Sequence, residues 1–463
     1  MSKLQLISPI DGSIYIEREL HTKKDIDKAL TAAVSAQKIW KNYTVKERKP
    51  YIEKFITALE NLKDQISTEL TWQMGRPISH TPFEVNGAIE RTKGMLSLAE
   101  KSLSDVKVDE ISGFDRFIKK DPVGVVFVVP AWNYPYLIAV NTVIPALLAG
   151  NAVILKHSAQ TPLVAERFAE AFKIADLPEG LFQYLHLNHS ETANVIRDKR
   201  INFVSFTGSV SGGHHIQKVA AESFVGVGLE LGGKDPAYVC DDAHLDFYVE
   251  NLVEGAFFNS GQSCCGIERI YVKDNVFDRF VEAYTEQTKK YKLGNPLDKD
   301  TNLGPVAKRG GAEYVKFQIE AAIKKGAKAL IDPSLFPETQ MGYNYLAPQV
   351  LIDVDHSMEI MTEESFGPVV GIMKVKDDAE ALALMNDSQY GLTASIWTND
   401  QDKALSIGNE VETGTWFMNR CDYLDPYLAW TGVKDTGRGC TLSAIGYDQL
   451  TRPKSYHLRT KIK

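Results

Sequence analysis

The sequence predicts an α/β fold with a buried parallel sheet, a second α/β unit and a small β arm. Short apolar runs, such as residues 124–129 and 152–155, alternate with amphipathic stretches such as residues 162–174. Strands that are apolar along their whole length belong to a parallel sheet that helices cover on both faces. The chain of 463 residues also exceeds the size of one compact core, so we expect two or three domains.

The predicted elements follow in chain order. Amphipathic helices come first, at residues 24–41, 47–74 and 82–99, and residues 105–120 then alternate as an extended arm that suits subunit contacts. The first α/β unit has predicted strands at 124–129, 152–155, 182–187, 203–206 and 224–231, with helices at 136–148, 162–174, around Ala193 and at 211–221. The second has predicted strands at 270–272, 350–354, 369–375 and 393–397, with helices at 276–290, 311–325, 379–385 and 402–410. The tail, residues 450–463, is predicted to form an edge strand.

Charge and composition disfavour several classes of partner. The formal net charge of −8 argues against nucleic acid or an anionic membrane surface. No apolar run approaches the roughly 18 residues of a membrane span, and the N-terminus lacks the apolar centre of a signal peptide. The cysteines form an odd set without CxxC spacing or a Cys/His cluster, so neither disulfides nor a metal site is predicted. We therefore expect a cytoplasmic protein without a metal.

Polar segments follow the strands of the first predicted unit. They have the sequences PAWN (130–133), KHS (156–158), TGS (207–209) and ELGG (230–233). Ligands of open parallel sheets bind beyond the carboxyl ends of the strands. The sequence therefore predicts one ligand cleft at this edge of the sheet.

The stretch NSGQSCCGIER, residues 259–269, places Cys264 after a short polar turn. Gly261 lets the backbone leave the preceding helix in a conformation that most residues avoid, which can aim a side chain into a cleft. A thiol there is a nucleophile if its pKa is lowered or a base lies nearby. An intracellular cysteine is more often a small buried apolar residue, so its partners decide between the two interpretations.

Six motifs in order give the chain a family resemblance. They are PAWNYP (130–135), ILKHSAQTP (154–162), FTGS (206–209), LELGGK (229–234), NSGQSC (259–264) and EESFGP (363–368). Over nearly its whole length the sequence resembles the aldehyde dehydrogenase superfamily. The resemblance implies a Rossmann-like dinucleotide-binding domain (1–104 and 121–232), a catalytic domain (233–447) and an oligomerisation arm (105–120 and 448–463). It also implies homodimers or homotetramers and a small-molecule aldehyde as substrate.

The catalytic residues implied by this resemblance agree with elementary chemistry. Cys264 as thiolate would attack the aldehyde carbon and form a thiohemiacetal. Asn133 is similar to the family's amide donor for the oxyanion, with the Cys264 N–H as the second donor. Glu230 matches the general base that activates water to hydrolyse the resulting thioester.

The residues implied to bind the dinucleotide come from several motifs, and no G-x-G-x-x-G is present, as is also true of the family. Gly208, Ser209 and Gly213 open a helix and offer N–H groups or close approach to a pyrophosphate. The remaining implied contacts are Trp132 beside the phosphate, Lys156 and Ser158 toward the adenosine ribose, Glu364 toward the nicotinamide ribose, and Phe366 packing nearby.

Ala159 departs from the family pattern, because many members have a glutamate there that binds the ribose hydroxyls and repels a 2′-phosphate. Its absence admits NADP and removes one contact to NAD. We therefore predict NAD or NADP as the cofactor, with NAD slightly preferred.

The implied lining of the substrate entrance is Tyr134, Ile138, Asn141, Leu424 and Trp430, none of which is a cation. In succinate-semialdehyde members of the family, an arginine usually occupies the position of Asn141. A neutral aliphatic or aromatic aldehyde is therefore predicted. A succinate-semialdehyde-type enzyme, a CoA-acylating semialdehyde dehydrogenase, a cysteine hydrolase and a non-catalytic protein on the same fold stay as alternatives. Glu230 argues against the CoA-acylating type, because thiolysis needs no base for water.

Overall fold

The structure is a computed structural model that describes residues 3–242 and 244–462, so residues 1, 2, 243 and 463 of the predicted domains lie outside it. Its strands are β1 (Lys3–Ile7), β2 (Ile14–Glu19), β3 (Val106–Lys107), β4 (Phe114–Pro122), β5 (Val125–Val129), β6 (Ala152–Leu155), β7 (Phe182–Tyr184), β8 (Phe203–Thr207), β9 (Gly226–Glu230), β10 (Asp235–Val239), β11 (Ile267–Lys273), β12 (Lys328–Ala329), β13 (Gln349–Ile352), β14 (Val369–Val375), β15 (Thr393–Trp397), β16 (Thr415–Met418), β17 (Gly437–Arg438) and β18 (Thr451–Arg459). Its α-helices are α1 (Lys23–Trp40), α2 (Val45–Asn61), α3 (Lys63–Met74), α4 (Thr81–Ser102), α5 (Pro135–Ala149), α6 (Pro162–Ile174), α7 (His189–Arg197), α8 (Val210–Ala220), α9 (Leu245–Phe257), α10 (Phe277–Thr288), α11 (Arg309–Lys324), α12 (Glu359–Thr362), α13 (Asp378–Asn386) and α14 (Gln401–Gly408).

The first α/β unit is built on a sheet with the strand order β17-β9-β8-β5-β6-β7. Its strands are parallel except β17, which pairs antiparallel with β9. Every residue of β5 and β6 is buried, as the apolar runs predict for a sheet that is covered on both faces. The predicted mixed α/β fold with a Rossmann-like unit is therefore confirmed.

The second sheet has the strand order β12-β13-β14-β11-β10-β15-β16, and only β12 runs antiparallel to its neighbour among these described strands. Its predicted strands at 270–272, 350–354, 369–375 and 393–397 correspond to β11, β13, β14 and β15. Three strands of this sheet, β10, β12 and β16, are missing from the prediction. β10 begins with Asp235-Pro236, a pair that is more typical of a turn, and this masks the apolar residues that follow.

The N-terminal helices pack against the first unit, and the prediction of one of these helices is wrong. The stretch predicted as a single helix at 47–74 forms two helices, α2 and α3, which are separated by Leu62. The N–H of Leu62 bonds to the carbonyl oxygens of Ala58 and Leu59, which closes α2. Neither glycine nor proline stands at this break, so the sequence carries no local signal for it.

The predicted arm and tail form one separate antiparallel sheet, in the order β18-β4-β3. The pairing of β4 with β18 runs from Thr451↔Pro122 to Arg459↔Phe114, and the rings of Phe117 and Tyr456 stack at 4.6 Å across it. Most residues of β18 are exposed. In the described ranges, no helix combines the length and apolarity needed to cross a bilayer.

Candidate active site

The cysteine loop leaves α9 through a strained turn. Asn259, Ser260 and Gly261 have φ angles of 53°, 56° and 70°, all in the left-handed region. A Cβ on Gly261 would lie 2.1 Å from the backbone oxygen of Gly367, so the two loops approach too closely for any side chain. The Ser260 hydroxyl donates to the Gly304 carbonyl at 2.8 Å. Beyond this turn, Cys264 is partly buried, whereas its neighbour Cys265 is buried.

A buried guanidinium, which the sequence does not predict as part of the site, fixes the position of the cysteine loop. Arg76 is 2% exposed and pairs with Glu84 at 2.5 Å. Its Nε donates to Asn259 Oδ1 at 3.0 Å, and its Nη2 donates to the carbonyl oxygen of Asn133. Arg76 lies in the segment between α3 and α4, and Glu84 lies on α4, a helix that the periodicity assigns to packing alone. Only the tertiary structure brings them to the cysteine loop.

Asn133 lies between the end of β5 and the start of α5. Its side-chain amide donates to the carbonyl oxygen of Gln262 at 3.2 Å, two residues before Cys264. The Glu84 carboxylate accepts from the N–H groups of Tyr136 and Leu137, at 2.9 and 3.0 Å, in the first turn of α5. A carboxylate at a helix N-terminus binds the free N–H groups there and is favoured by the helix dipole.

Glu230 ends β9 at the same edge of the sheet. Its carboxylate accepts from the hydroxyls of Thr441, at 2.5 Å, and Thr207, at 3.3 Å. Burial raises the pKa of Glu230, although both hydrogen bonds and the charge of Arg91 oppose the rise. A carboxyl group with a raised pKa is a better proton acceptor near neutral pH than an ordinary surface carboxylate. The backbone that follows it approaches the cysteine, because a Cβ on Gly233 would lie 2.3 Å from the Cys264 carbonyl oxygen.

Glu364 and Phe366 belong to a loop that a buried ion pair fixes in place. Glu268 pairs with Lys234 at 2.5 Å and also accepts from the N–H groups of Ser365 and Phe366. Glu364 accepts from the N–H of Gly233 at 3.1 Å. Burial, assisted by the negative charge of Glu268, raises the pKa of Glu364 to about 8.

Gly208 and Ser209 precede α8, and Ser209 caps this helix by accepting from the Gly212 N–H at 3.2 Å. Packing leaves no room for a side chain at Gly213, because a Cβ there would lie 2.5 Å from a methyl carbon of Leu231. The need for glycine at this position therefore follows from the packing of α8 against the end of β9.

Trp132, Lys156, Ser158 and Ala159 lie farther along the same edge. The Trp132 ring meets Phe366 edge-on at 5.6 Å, so two of the predicted cofactor residues are in contact. The other three line a cavity of about 1040 Å³. Between them, His157 is buried and its Nδ1 accepts from the Ser158 N–H at 2.9 Å. Burial lowers the pKa of His157 to about 3, so the ring is neutral and accepts a hydrogen bond within the turn.

A second cavity, of about 610 Å³, lies beside the cysteine loop. Tyr134, Ile138 and Leu424, three of the residues predicted at the substrate entrance, line it together with Cys265, Arg91 and Asp422. Two predicted lining residues are corrected. Asn141 is buried behind the wall, where its Oδ1 accepts from Arg91 Nη1 at 3.3 Å. Trp430 is 4% exposed and packs in the core of the first unit.

Cys265 reaches this cavity but is poorly suited to be the nucleophile. Its Sγ donates to Asp422 Oδ1 at 3.0 Å, and the Ser263 hydroxyl donates to the same oxygen at 2.7 Å. The hydrogen-bonding interaction with Cys264 and burial raise the pKa of Cys265 well above its ordinary value. A thiol that is held protonated reacts slowly, since the thiolate is the reactive form.

Comparison with known proteins gives one consistent result. The Aldehyde dehydrogenase family matches residues 1–456 of the chain. An aldehyde dehydrogenase of Paenarthrobacter nicotinovorans is 32% identical over 452 residues, which cover 97% of this chain and 98% of that protein. The succinic semialdehyde dehydrogenase of Streptococcus pyogenes, solved with NADP⁺, has a TM-score of 0.94 and 28% identity, covering 98% of this chain and 100% of its own. A double mutant of the betaine aldehyde dehydrogenase of Staphylococcus aureus, solved with NAD⁺, has a TM-score of 0.94 and 29% identity, covering 100% of this chain and 94% of its own.

The chain belongs to the aldehyde dehydrogenase family. The predicted family, the mixed α/β fold and the assignment as an NAD(P)-dependent aldehyde dehydrogenase are confirmed. Both NAD and NADP occur as cofactors among the solved relatives, in agreement with the prediction that either is used.

Replacement of Gly261 by alanine should destabilise the protein and displace the cysteine loop. The new methyl group would meet the Gly367 carbonyl, and alanine at positive φ adds strain, so we expect a loss of at least about 2 kcal/mol in unfolding free energy. The unfolding midpoint in urea measures this loss.

Gly310→Ala is the matched control, because no atom lies within 4 Å of its Cβ and it lies in helix α11. It should leave the midpoint unchanged or raise it slightly. Equal midpoints for the two variants would contradict the close contact between the two loops.

Proposed function

We propose that this protein oxidises an aldehyde to a carboxylic acid, with hydride transfer to NAD(P), through a thioester on Cys264 that water hydrolyses. The observation that carries the proposal is the fixed position of Asn133 relative to the cysteine loop, since its amide donates to the Gln262 carbonyl at 3.2 Å. The partly accessible Cys264 and the raised pKa of Glu230 support it.

In the first step, the Cys264 thiolate forms a bond to the aldehyde carbon and the carbonyl π electrons move to oxygen. The Asn133 amide and the Cys264 N–H donate to that oxygen as its negative charge develops. The bound dinucleotide supplies the acceptor for the hydride that leaves when the carbonyl re-forms as a thioester.

In the second step, a water molecule attacks the thioester carbon while Glu230 takes one of its protons. The C–S bond breaks, Cys264 leaves as thiolate and the carboxylic acid departs. Thr441 and Thr207 orient the Glu230 carboxylate for this role through their hydrogen bonds.

The residues at the predicted dinucleotide site fit an anionic ligand that carries ribose hydroxyls. Glu364 presents a buried carboxyl group at one end, and Lys156 presents an ammonium without a carboxylate partner among the described residues. We propose that these two hold the nicotinamide ribose and the adenosine ribose respectively, with Gly208, Ser209 and Trp132 toward the pyrophosphate.

Three further proposals concern organisation. We propose the division into a dinucleotide-binding domain, a catalytic domain and an arm at the predicted boundaries, supported by the separate six-stranded, seven-stranded and three-stranded sheets. We propose a homodimer or homotetramer that uses the arm, supported by the exposed residues of β18. We propose a cytoplasmic setting, supported by the five free cysteines.

For the substrate, we propose a neutral aliphatic or aromatic aldehyde. Tyr134, Ile138 and Leu424 give the cavity an apolar wall. One observation favours a second candidate, an aldehyde with a carboxylate at its far end. The buried guanidinium of Arg91 lines the cavity and donates to Asn141, at whose position succinate-semialdehyde members usually carry arginine. We rank this candidate second because the carboxyl group of Asp422 shares the cavity with Arg91. Burial raises the pKa of Asp422, although its hydrogen bonds with Cys265 and Ser263 and the charges of Arg76 and Arg91 oppose the rise.

Purified protein should form NAD(P)H from an aldehyde without CoA, and Cys264→Ser should reduce kcat by at least about a thousandfold, because serine is a far weaker nucleophile. Absorbance of the reduced nicotinamide measures this. Cys265→Ser is the control and should keep most of the activity. Loss of activity in the Cys265 variant alone would contradict the assignment, and turnover that requires CoA would favour the acylating alternative.

With succinate semialdehyde, hexanal and benzaldehyde compared in parallel, kcat/KM should be highest for the neutral aldehydes. Arg91→Met removes the charge at similar side-chain length. It should change the ratio of kcat/KM between succinate semialdehyde and the neutral aldehydes by less than about threefold. Lys93→Met, on the exposed face of α4, should leave this ratio unchanged. A wild-type preference for succinate semialdehyde that falls at least about tenfold in Arg91→Met would select the second candidate.

A further inference from the structure

The cavity beside the predicted ribose site carries a positive charge that the rest of the chain does not share. Its lining includes four cationic side chains and one carboxylate, in a protein whose formal net charge is −8. These are Lys3, Lys156, Lys308 and Arg309, and Asp11. The first unit contributes Lys156 at the end of β6, and the segment that enters α11 contributes Lys308 and Arg309.

Two of these cations already have partners. Lys3 pairs with Glu17 at 2.5 Å, and Arg309 pairs with Glu313 at 2.9 Å. Across residues 3–242 and 244–462, neither Lys156 nor Lys308 forms an ion pair with a carboxylate. Lys156 is 9% exposed, whereas Lys308 keeps access to solvent through the cavity.

Both ammonium groups have a lowered pKa. Burial and the charge of Lys308 lower the pKa of Lys156 to about 8, and the surrounding protein lowers the pKa of Lys308 as well. Two like charges at the wall of one cavity oppose each other and are costly to remove from water without a counterion. An anion that binds between them would relieve both effects.

The position of the cavity indicates which part of a dinucleotide would supply that anion. Its lining contains Ser158 and Ala159, where family members contact the ribose hydroxyls, but it does not contain Gly208 or Ser209 from the proposed pyrophosphate site. With alanine at position 159, no carboxylate stands beside the ribose to repel a phosphate. Lys308 Nζ also lies 5.3 Å from the centre of the Trp132 ring, which places it at the mouth of the cofactor cleft.

We propose that Lys308 binds the 2′-phosphate of NADP together with Lys156, so that the protein prefers NADP over NAD. This inference rests on the proposed function for the presence of a dinucleotide, and it replaces the slight preference for NAD that the sequence suggests. Lys308 is a specificity residue in this account, because it comes from a different unit than Lys156 and lines the same cavity. It takes no part in the chemistry at Cys264.

The test is binding of 2′,5′-ADP and 5′-AMP to the full-length protein by titration calorimetry, without aldehyde or nicotinamide. The wild type should bind 2′,5′-ADP at least about tenfold more tightly than 5′-AMP, because a charge-assisted contact to phosphate exceeds a neutral hydrogen bond. Lys308→Met should remove most of that ratio and leave 5′-AMP affinity nearly unchanged, and Lys308→Arg should restore it in part.

Lys324→Met is the matched control, because Lys324 is an exposed lysine in the last turn of α11, the helix that Lys308 precedes, and this variant should keep the wild-type ratio. Retained selectivity in Lys308→Met, or an equal loss of affinity for both nucleotides, would overturn the proposal. Because calorimetry needs no turnover, a protein that binds selectively but oxidises no aldehyde would refute the proposed function and leave this inference standing.

Discussion

The buried guanidinium of Arg76 is the interaction on which the site depends. It bonds to Glu84 on α4, to Asn259 in the turn before the cysteine, and to the backbone of Asn133 after β5. A buried cation is tolerated only when its donors are satisfied, so these three segments are fixed relative to one another. Glu84 extends the same network into the first turn of α5. The oxyanion donor and the nucleophile loop therefore share one support.

The cleft next to this hydrogen-bond network contains buried ionisable side chains whose charges are incompletely compensated by neighbouring residues. Glu230 and Glu364 have raised pKa values because they are buried, and Lys156 has a lowered one for the same reason. Such perturbed groups concentrate at functional sites, where a ligand or a proton transfer completes the electrostatics. The ion pair between Lys234 and Glu268 differs, since it is internally neutral and serves to hold the loop that carries Glu364. The arrangement separates residues that act on ligands from residues that position them.

Much of the fold can be predicted from periodicity, because strands such as β5 and β6 are apolar throughout and helices such as α6 are strongly one-sided. The failures have local causes. β10 is hidden behind an Asp–Pro pair, and the break at Leu62 is produced by hydrogen bonding without a glycine or proline. Of the site, the motif residues at strand ends are found from the sequence. Arg76, Arg91 and Lys308 are not, because each lies on a segment with ordinary helical or loop composition and reaches the cleft only through tertiary contacts. The prediction that Asn141 lines the substrate entrance is wrong for the same reason, since Arg91 from α4 donates to Asn141 and lies between it and the cavity.

The central claim is a covalent thioester on Cys264 that Glu230 helps to hydrolyse. Intact and peptide mass spectrometry of Glu230→Gln, quenched after incubation with hexanal and NAD(P), tests it directly. Without the base the thioester should accumulate, so we expect the mass of one hexanoyl group on the peptide 259–269, located at Cys264, and no such mass when the dinucleotide is omitted. An unmodified peptide in a variant that still consumes NAD(P), or an acyl group located on Cys265, would contradict the account.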